Sequence, residues 1–478
     1  MSILIKNGTV VTSTQTLRVD VLISGESIVE IAPEINEKAD TVIDAQGMYV
    51  LPGGIDPHVH LHLPTPAGCS IDDFKSGSIA ALYGGTTTFI DFVTPSKSET
   101  LDEALTKRIA EATDSLTDYS FHVSPIKWDK TIEEQIANCI ERGFPSFKIY
   151  MAYKETVGLN DDELYHVMHD VASHGGMVTA HCELGDEVDK LRNQFFEEGK
   201  VTPKYHALSR PESAEVSAVK RAMAFADQTN CPLYIVHVSS GESVKHILQA
   251  QRSGQQVFAE TCPQYLTLND SVYNDNFAES GKYIISPPIR SANNNDLLWE
   301  GISNNVIQTV GTDHCPFSQA QKEFGINDFR KVPNGAGGIE HRLELLYTFG
   351  VKNNKISLNK LVDIFATQAA KIFGLYPQKG EIAVGSDADI VIWNPNAQRT
   401  ISAKNHHSKA DISIYEGFKV NGKAEYVLLR GNMTIKNGQL VNGLNPGKLL
   451  LRKNILSNPV NLNTSTYNDP LADNCGRV

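Results

Sequence analysis

Eight short β-rich runs, at residues 55–61, 86–93, 119–126, 146–153, 177–183, 233–239, 257–263 and 309–316, recur through the middle of the chain, with helix-like stretches between most of them. Strands that alternate with helices call for a parallel sheet, because each strand must be reached by a crossover that lies on the sheet face. Eight such units in 478 residues predict a (β/α)8 barrel, whose chemistry gathers at the C-terminal ends of the strands. The competing architecture, a doubly wound open sheet, wants a glycine-rich phosphate turn after an early strand, and the sequence offers none. The segments 161–176 and 210–230 carry the helical pattern. Asp161 and Asp162 are placed to cap the first of these helices and Gly175 to end it.

The two ends of the chain look alike. "IKNGTVV" (5–11) and "IKNGQLV" (435–441) each set Asn-Gly between strand-forming residues, the pattern of a tight hairpin. Further β-rich runs flank both, so the ends are expected to build one small β-domain from residues 1–52 and 385–445, with the barrel, 53–384, inserted between them. Residues 446–478 form a polar tail, expected to be disordered or to contact a neighbouring subunit. A formal charge of −13 argues against nucleic-acid and anionic-membrane partners, which select basic surfaces. The seven dispersed cysteines fit a reducing compartment, and the N-terminus lacks the basic and apolar regions of a signal peptide, so the expected location is the cytoplasm.

The predicted strand ends carry an unusual set of side chains. "DPHVHLHLP" puts His58, His60 and His62 on one face through the two-residue strand period. "TAHCE" brings His181, "IVHVSSGE" brings His237, and "GTDHCPFS" brings Asp313. Each alone is weak, since a single histidine at a strand end is usually a packing residue. Together His58, His60, His181, His237 and Asp313 surround one barrel mouth, where four imidazoles and a carboxylate suit a divalent ion, zinc above all for an N/O ligand set. "SFKIYMAYK" adds Lys148 in the middle of an otherwise apolar strand, where an isolated ammonium costs several kcal/mol, and Tyr153 five residues later. A Schiff-base lysine would not need the histidines. A lysine desolvated enough to be neutral reacts with CO2, and the resulting carbamate (N6-carboxylysine) is an anion able to bridge two metal ions.

With these motifs in view, residues 1–445 resemble the dihydropyrimidinase/hydantoinase family of the amidohydrolase superfamily. The resemblance rests on "PGGIDPHVHLHLP", "GGTTTFIDF", "SFKIYMAYK", "TAHCE", "VHVSSGE", "AETCPQYL", "SPPIR", "GTDHCPF" and "PNGAGGIEHRL". It implies one metal on His58, His60, Asp313 and carbamylated Lys148, and a second on that carbamate, His181 and His237. It makes Asp313 the proton acceptor and Tyr153 the oxyanion-binding tyrosine, and has backbone groups at Ser286 and Asn334 hold a cyclic amide. It implies a terminal β-sandwich and a homotetramer. The expected reaction is hydrolysis of dihydrouracil, dihydrothymine or 5-substituted hydantoins to N-carbamoyl amino acids. Dihydroorotases carry an arginine where this chain has His62, a residue that here faces the same way as His60 and is expected to reach substrate. Allantoinases lack the "MAYK" tyrosine context. The collapsin response mediator scaffolds have lost metal ligands, whereas all six positions are intact here. The loop 61–74 is expected to receive the ring substituent.

Overall fold

The computed structural model describes residues 2–453. Eight strands form the central sheet: β1 (Gly54–Val59), β2 (Thr86–Val93), β3 (Asp118–Val123), β4 (Ser146–Tyr150), β5 (Met177–His181), β6 (Leu233–Ile235), β7 (Val257–Thr261) and β8 (Thr309–Val310). They lie in sequence order, each parallel to the next. A parallel bridge between Val59 and His314 closes the ring, and the His60 N–H donates to the His314 carbonyl at 2.8 Å. The TIM-like barrel expected from the strand–helix alternation is therefore present. Strand β2 is buried along its whole length, as a parallel strand covered on both faces must be. Phe89, Phe121, Phe147 and Val178 of the barrel share one apolar core with Leu82, Leu105, Ile136 and Val167 of the surrounding helices. Each such fully buried side chain contributes about 1.5–3 kcal/mol.

The helix expected at 161–176 runs from Asp161 to Ser173, and its cap lies one residue earlier than predicted. Asn160 accepts from the Glu163 N–H, while the Glu163 side chain reaches back to the Asn160 N–H. That reciprocal box leaves Asp161 and Asp162 in the first turn, where their charge meets the positive end of the helix dipole. Gly175 follows the helix with a positive φ of 79°.

Both chain ends contribute to a seven-stranded sheet, in which Ile390–Thr400 pairs antiparallel with Tyr49–Pro52. A four-stranded sheet of Ser27–Ala32, Asp20–Ser24, Ser2–Lys6 and Thr41–Asp44 packs with it. Ile3, Ile5, Val21 and Ile23 meet Val50, Ile390, Ile392 and Leu428 in one apolar cluster. The second Asn-Gly is a hairpin, with Asn437 and Gly438 both at positive φ between antiparallel strands. The first is not. Ser2–Lys6 pairs within the four-stranded sheet while Thr9–Val11 joins the seven-stranded one, so Asn7 (φ 63°) and Gly8 step the chain from one sheet to the other. Gly8 is required by a close approach, because a Cβ there would lie 2.6 Å from Val50 Cγ2.

Residues 447–452 of the predicted tail run back along the chain's own barrel, where the Leu450 N–H donates to Tyr119 and the Arg452 N–H to Gly143. The rest of that tail, from residue 454, lies outside the described residues. Among the described residues no helix is long and apolar enough to cross a membrane.

Candidate metal centre and active site

Several strands end before their site residue. β6 stops at Ile235 and β8 at Val310, and His237 (φ 39°) and Asp313 (φ 52°) then adopt the left-handed backbone region that side chains other than glycine rarely occupy. Tyr153 (φ 60°) and His62 (φ 49°) do the same, whereas the other described cases are five asparagines and Arg430. Strain of this kind persists only where the surroundings hold it. Here Asp56 accepts from the Thr312 N–H (3.1 Å) and hydroxyl (2.6 Å) just before Asp313. Immediately after it, the His314 ring is held by Asp72 at 3.1 Å and by the Gly338 N–H at 3.0 Å. Leu61, directly after His60, is pinned through its N–H to Asp91 (2.8 Å).

His58 Nε2 lies 3.3 Å from His60 Nε2, and each of these atoms lies 3.2 Å from Asp313 Oδ1. Ligands at about 2.0–2.1 Å around a tetrahedral ion stand about 3.3 Å apart, so this trio already has the spacing of three coordination corners. Across the mouth His181 Nδ1 and His237 Nε2 are 3.0 Å apart, and the His58 and His237 rings are separated by 5.3 Å between centroids, which makes the two groups one site. Burial lowers His60, His181 and His237, favouring the neutral imidazole that ligates metal. Burial opposes charge on His58 too, but Glu260 and Asp313 outweigh it and hold the group up at about 9. Two carboxylates converging on one imidazole want a cation between them, and a metal ion answers that need as a proton does. Asp313 stays ionised: burial pushes it up, but His58 and His60 hold it well below the usual carboxylate range.

Lys148 sits at the centre of β4, 1% exposed, its Nζ 4.8 Å from the centroid of the Phe92 ring and 5.1 Å from that of Tyr150. Burial brings its pKa down to about 8, against the upward pull of Asp313 and Glu260. About one tenth of the amine is then neutral at pH 7, and about half at pH 8.

Tyr153 leaves the strand predicted to contain it and hangs over the mouth, its ring 5.4 Å from that of His181. Its carbonyl accepts the N–H groups of Thr156 (3.0 Å), Val157 (3.1 Å) and Gly158 (2.9 Å), a tight turn that fixes the ring's departure. Burial raises the Tyr153 pKa, so the hydroxyl remains a donor. Ser286 and Asn334 lie in two loops joined by the Gly335 N–H to Ile284 carbonyl bond (3.1 Å); the Ser286 side chain faces the Tyr153 hydroxyl, and Asn334 Oδ1 is buried without a hydrogen-bond partner. His62 differs from the expected placement. β1 ends at Val59, the strand period does not extend to residue 62, and the side chain is exposed at the start of the loop.

Two carboxylates escaped the sequence reading. Glu260 on β7 receives His58 Nδ1 at 2.6 Å, the His237 N–H at 3.1 Å and the Tyr234 hydroxyl at 2.9 Å. Glu183 faces His181 Nε2 at 2.8 Å and is itself paired with Arg210 at 2.5 Å. Each carboxylate engages one ring nitrogen and leaves the other turned into the mouth, as the outer partners of metal-bound histidines do. "AETCP" and "TAHCE" show both as glutamates in buried surroundings, a signal as anomalous as Lys148.

A (β/α)8 barrel whose mouth gathers histidines, an aspartate and a buried lysine defines a metal-dependent hydrolase class of site. The profile of the Amidohydrolase family matches residues 49–434. A D-hydantoinase of Geobacillus stearothermophilus is 43% identical over 444 residues, covering 92% of this chain and 94% of its own length. A dihydropyrimidinase of Arabidopsis thaliana is 40% identical over 443 residues, 92% of this chain and 83% of its own. The crystal structure of dihydropyrimidinase from Brevibacillus agri NCHU1002 superposes with a TM-score of 0.94 at 42% identity, covering 95% of this chain and 99% of that one. The chain belongs to the amidohydrolase family, in its dihydropyrimidinase/hydantoinase group.

Proposed function

We propose that the protein is a binuclear-metal cyclic amidohydrolase that opens the ring amide of 5,6-dihydropyrimidines and 5-substituted hydantoins to give N-carbamoyl amino acids. The observation that carries this reading is the apposition of His58, His60 and Asp313 to His181 and His237 across one mouth. On this reading His58, His60, Asp313 and Lys148 hold one ion, and Lys148, His181 and His237 the other, with Lys148 converted by CO2 to a shared carbamate. Zinc suits this N/O set. When bound, such ions polarise the scissile carbonyl and lower the pKa of water at the site towards about 7.

The chain's own residues supply the rest. Asp313 accepts the proton of the attacking water and returns it to the departing ring nitrogen. The Tyr153 hydroxyl donates to the carbonyl oxygen as charge develops there, a contribution of about 3 kcal/mol for one such donor. Backbone groups at Ser286 and Asn334 hold the ring amide, and the unpartnered, buried Asn334 Oδ1 supports a polar ligand beside them. Loop 61–74 receives the ring substituent, with His62 at its rim. We place the enzyme in the cytoplasm as a homotetramer, the first from the dispersed cysteines and the second from the family resemblance.

The test is metal analysis together with ring-opening rates for dihydrouracil and a 5-substituted hydantoin, on the wild type and on Lys148→Ala. About two ions per subunit and turnover of at least one ring are expected, with metal and turnover lost together in the variant. Metal present with neither ring opened would refute the substrate class, and full metal content in Lys148→Ala would refute the carbamate.

A further inference from the structure

Outside the metal centre, one buried cation donates its hydrogen bonds to main-chain carbonyls. Lys322 lies on the short helix Gln319–Glu323 in the connection after β8 and is 1% exposed. Its Nζ donates to the carbonyls of Ile284 (2.9 Å), Pro333 (2.8 Å) and Gly335 (2.7 Å), using all three N–H bonds. Those acceptors are not scattered. Pro333 and Gly335 flank Asn334, and Ile284 stands two residues before Ser286.

The segment around Ser286 is held at neighbouring carbonyls as well, by His206 at Ile285 (2.8 Å) and by the Tyr265 hydroxyl at Pro287 (2.7 Å). Neither of those bonds reaches the Asn334 loop, whereas the Lys322 ammonium spans both segments. One main-chain bond, from the Gly335 N–H to the Ile284 carbonyl (3.1 Å), also joins the two loops, and the Lys322 ammonium adds a second tie at the same place. Burying an ammonium without a carboxylate beside it is costly, and three carbonyl acceptors at hydrogen-bond distance offset that cost in one geometry only.

We infer that Lys322 is a positioning residue for substrate, setting the spacing between the Ser286 and Asn334 loops so that their backbone groups can engage both sides of a cyclic amide. The inference rests on the functional reading above. It assigns Lys322 no contact with substrate and no part in holding metal, so its loss acts first on substrate affinity.

The experiment compares the metal-loaded wild type with Lys322→Met, which keeps the unbranched stem one atom shorter and removes its donors, and Lys322→Gln, which keeps two N–H bonds. Lys322→Met should retain wild-type metal content and raise KM about tenfold, with kcat changing less, and Lys322→Gln should recover part of the KM. An unchanged KM, or loss of metal in step with activity, overturns the inference. Hydrogen exchange on the metal-loaded wild type and Lys322→Gln adds a readout that does not depend on turnover. The Gly335 amide, bonded to the Ile284 carbonyl, should exchange faster in the variant, and equal exchange in the two overturns the inference. A wild type that opens neither ring breaks the functional reading instead, and the exchange result then judges Lys322 alone.

Discussion

Lys148 shows how one residue type in an unsuitable place can be more informative than a motif. Its burial brings the amine to about 8, and only the unprotonated amine attacks CO2. Raising the pH through about 8 therefore increases the reactive fraction, which levels off above it. At a fixed concentration of dissolved CO2, the rate at which metal-stripped enzyme regains activity on adding zinc should rise through that range and then flatten. A rate independent of pH between about 6 and 9 would contradict the carbamate chemistry. Glu260 gives a second prediction at this scale. Glu260→Gln keeps the shape but weakens the hold on His58 and the His237 N–H, and should cost about 10–100-fold in metal affinity, read by competition with a chelator while the fold stays intact. The residue types of the site were legible in the sequence. Which carboxylate stands behind which histidine was not, because His58 and Glu260 are 202 positions apart and meet only when the barrel closes.

Elements end where the chemistry begins. The pattern of apolar residues located all eight strands, but it carried β6, β8 and β4 past their real ends, to residues 239, 316 and 153, and so took in His237, Asp313 and Tyr153. The backbone turns left-handed at those residues, and a hydrophobic pattern contains no sign of that turn. The departure of Tyr153 depends on the turn closed by Gly158, where a Cβ would run into the Ala152 carbonyl. Gly158→Ala should leave metal content unchanged and lower kcat, approaching the loss of about 100-fold expected for Tyr153→Phe. Equal kcat in Gly158→Ala and wild type would show that the turn does not set the tyrosine. The same limit explains the first Asn-Gly: the dipeptide announces a reversal, but only the partners of Ser2–Lys6 and Thr9–Val11 decide that the chain changes sheets there.

Across the whole molecule the barrel and the terminal sheets are fastened by a buried charge cluster. Lys379 bonds Asp118 (2.7 Å) at the start of β3, Asp389 (2.8 Å) beside Ile390–Thr400, and Asp387 (2.9 Å), while Arg430 also pairs with Asp118. Lys379→Met leaves three carboxylates facing one arginine and should destabilise the chain by about 3–5 kcal/mol. The expected readout is a lower thermal midpoint with unchanged activity in the folded fraction; an unchanged midpoint would show that the cluster is not what joins the two parts.

The sequence by itself determined the barrel, since eight alternating strand and helix patterns have few other solutions, and it determined the chemical kinds of residue that gather at the mouth. It also determined that both chain ends share a β-structure, through their β-rich runs. Tertiary structure alone decided the glutamates behind the histidines, the left-handed backbone that aims His237 and Asp313, the exposure of His62, and the span of Lys322 between two loops. Each of these depends on distances between residues far apart in the chain, and such distances exist only once strand register and ring closure have brought them together.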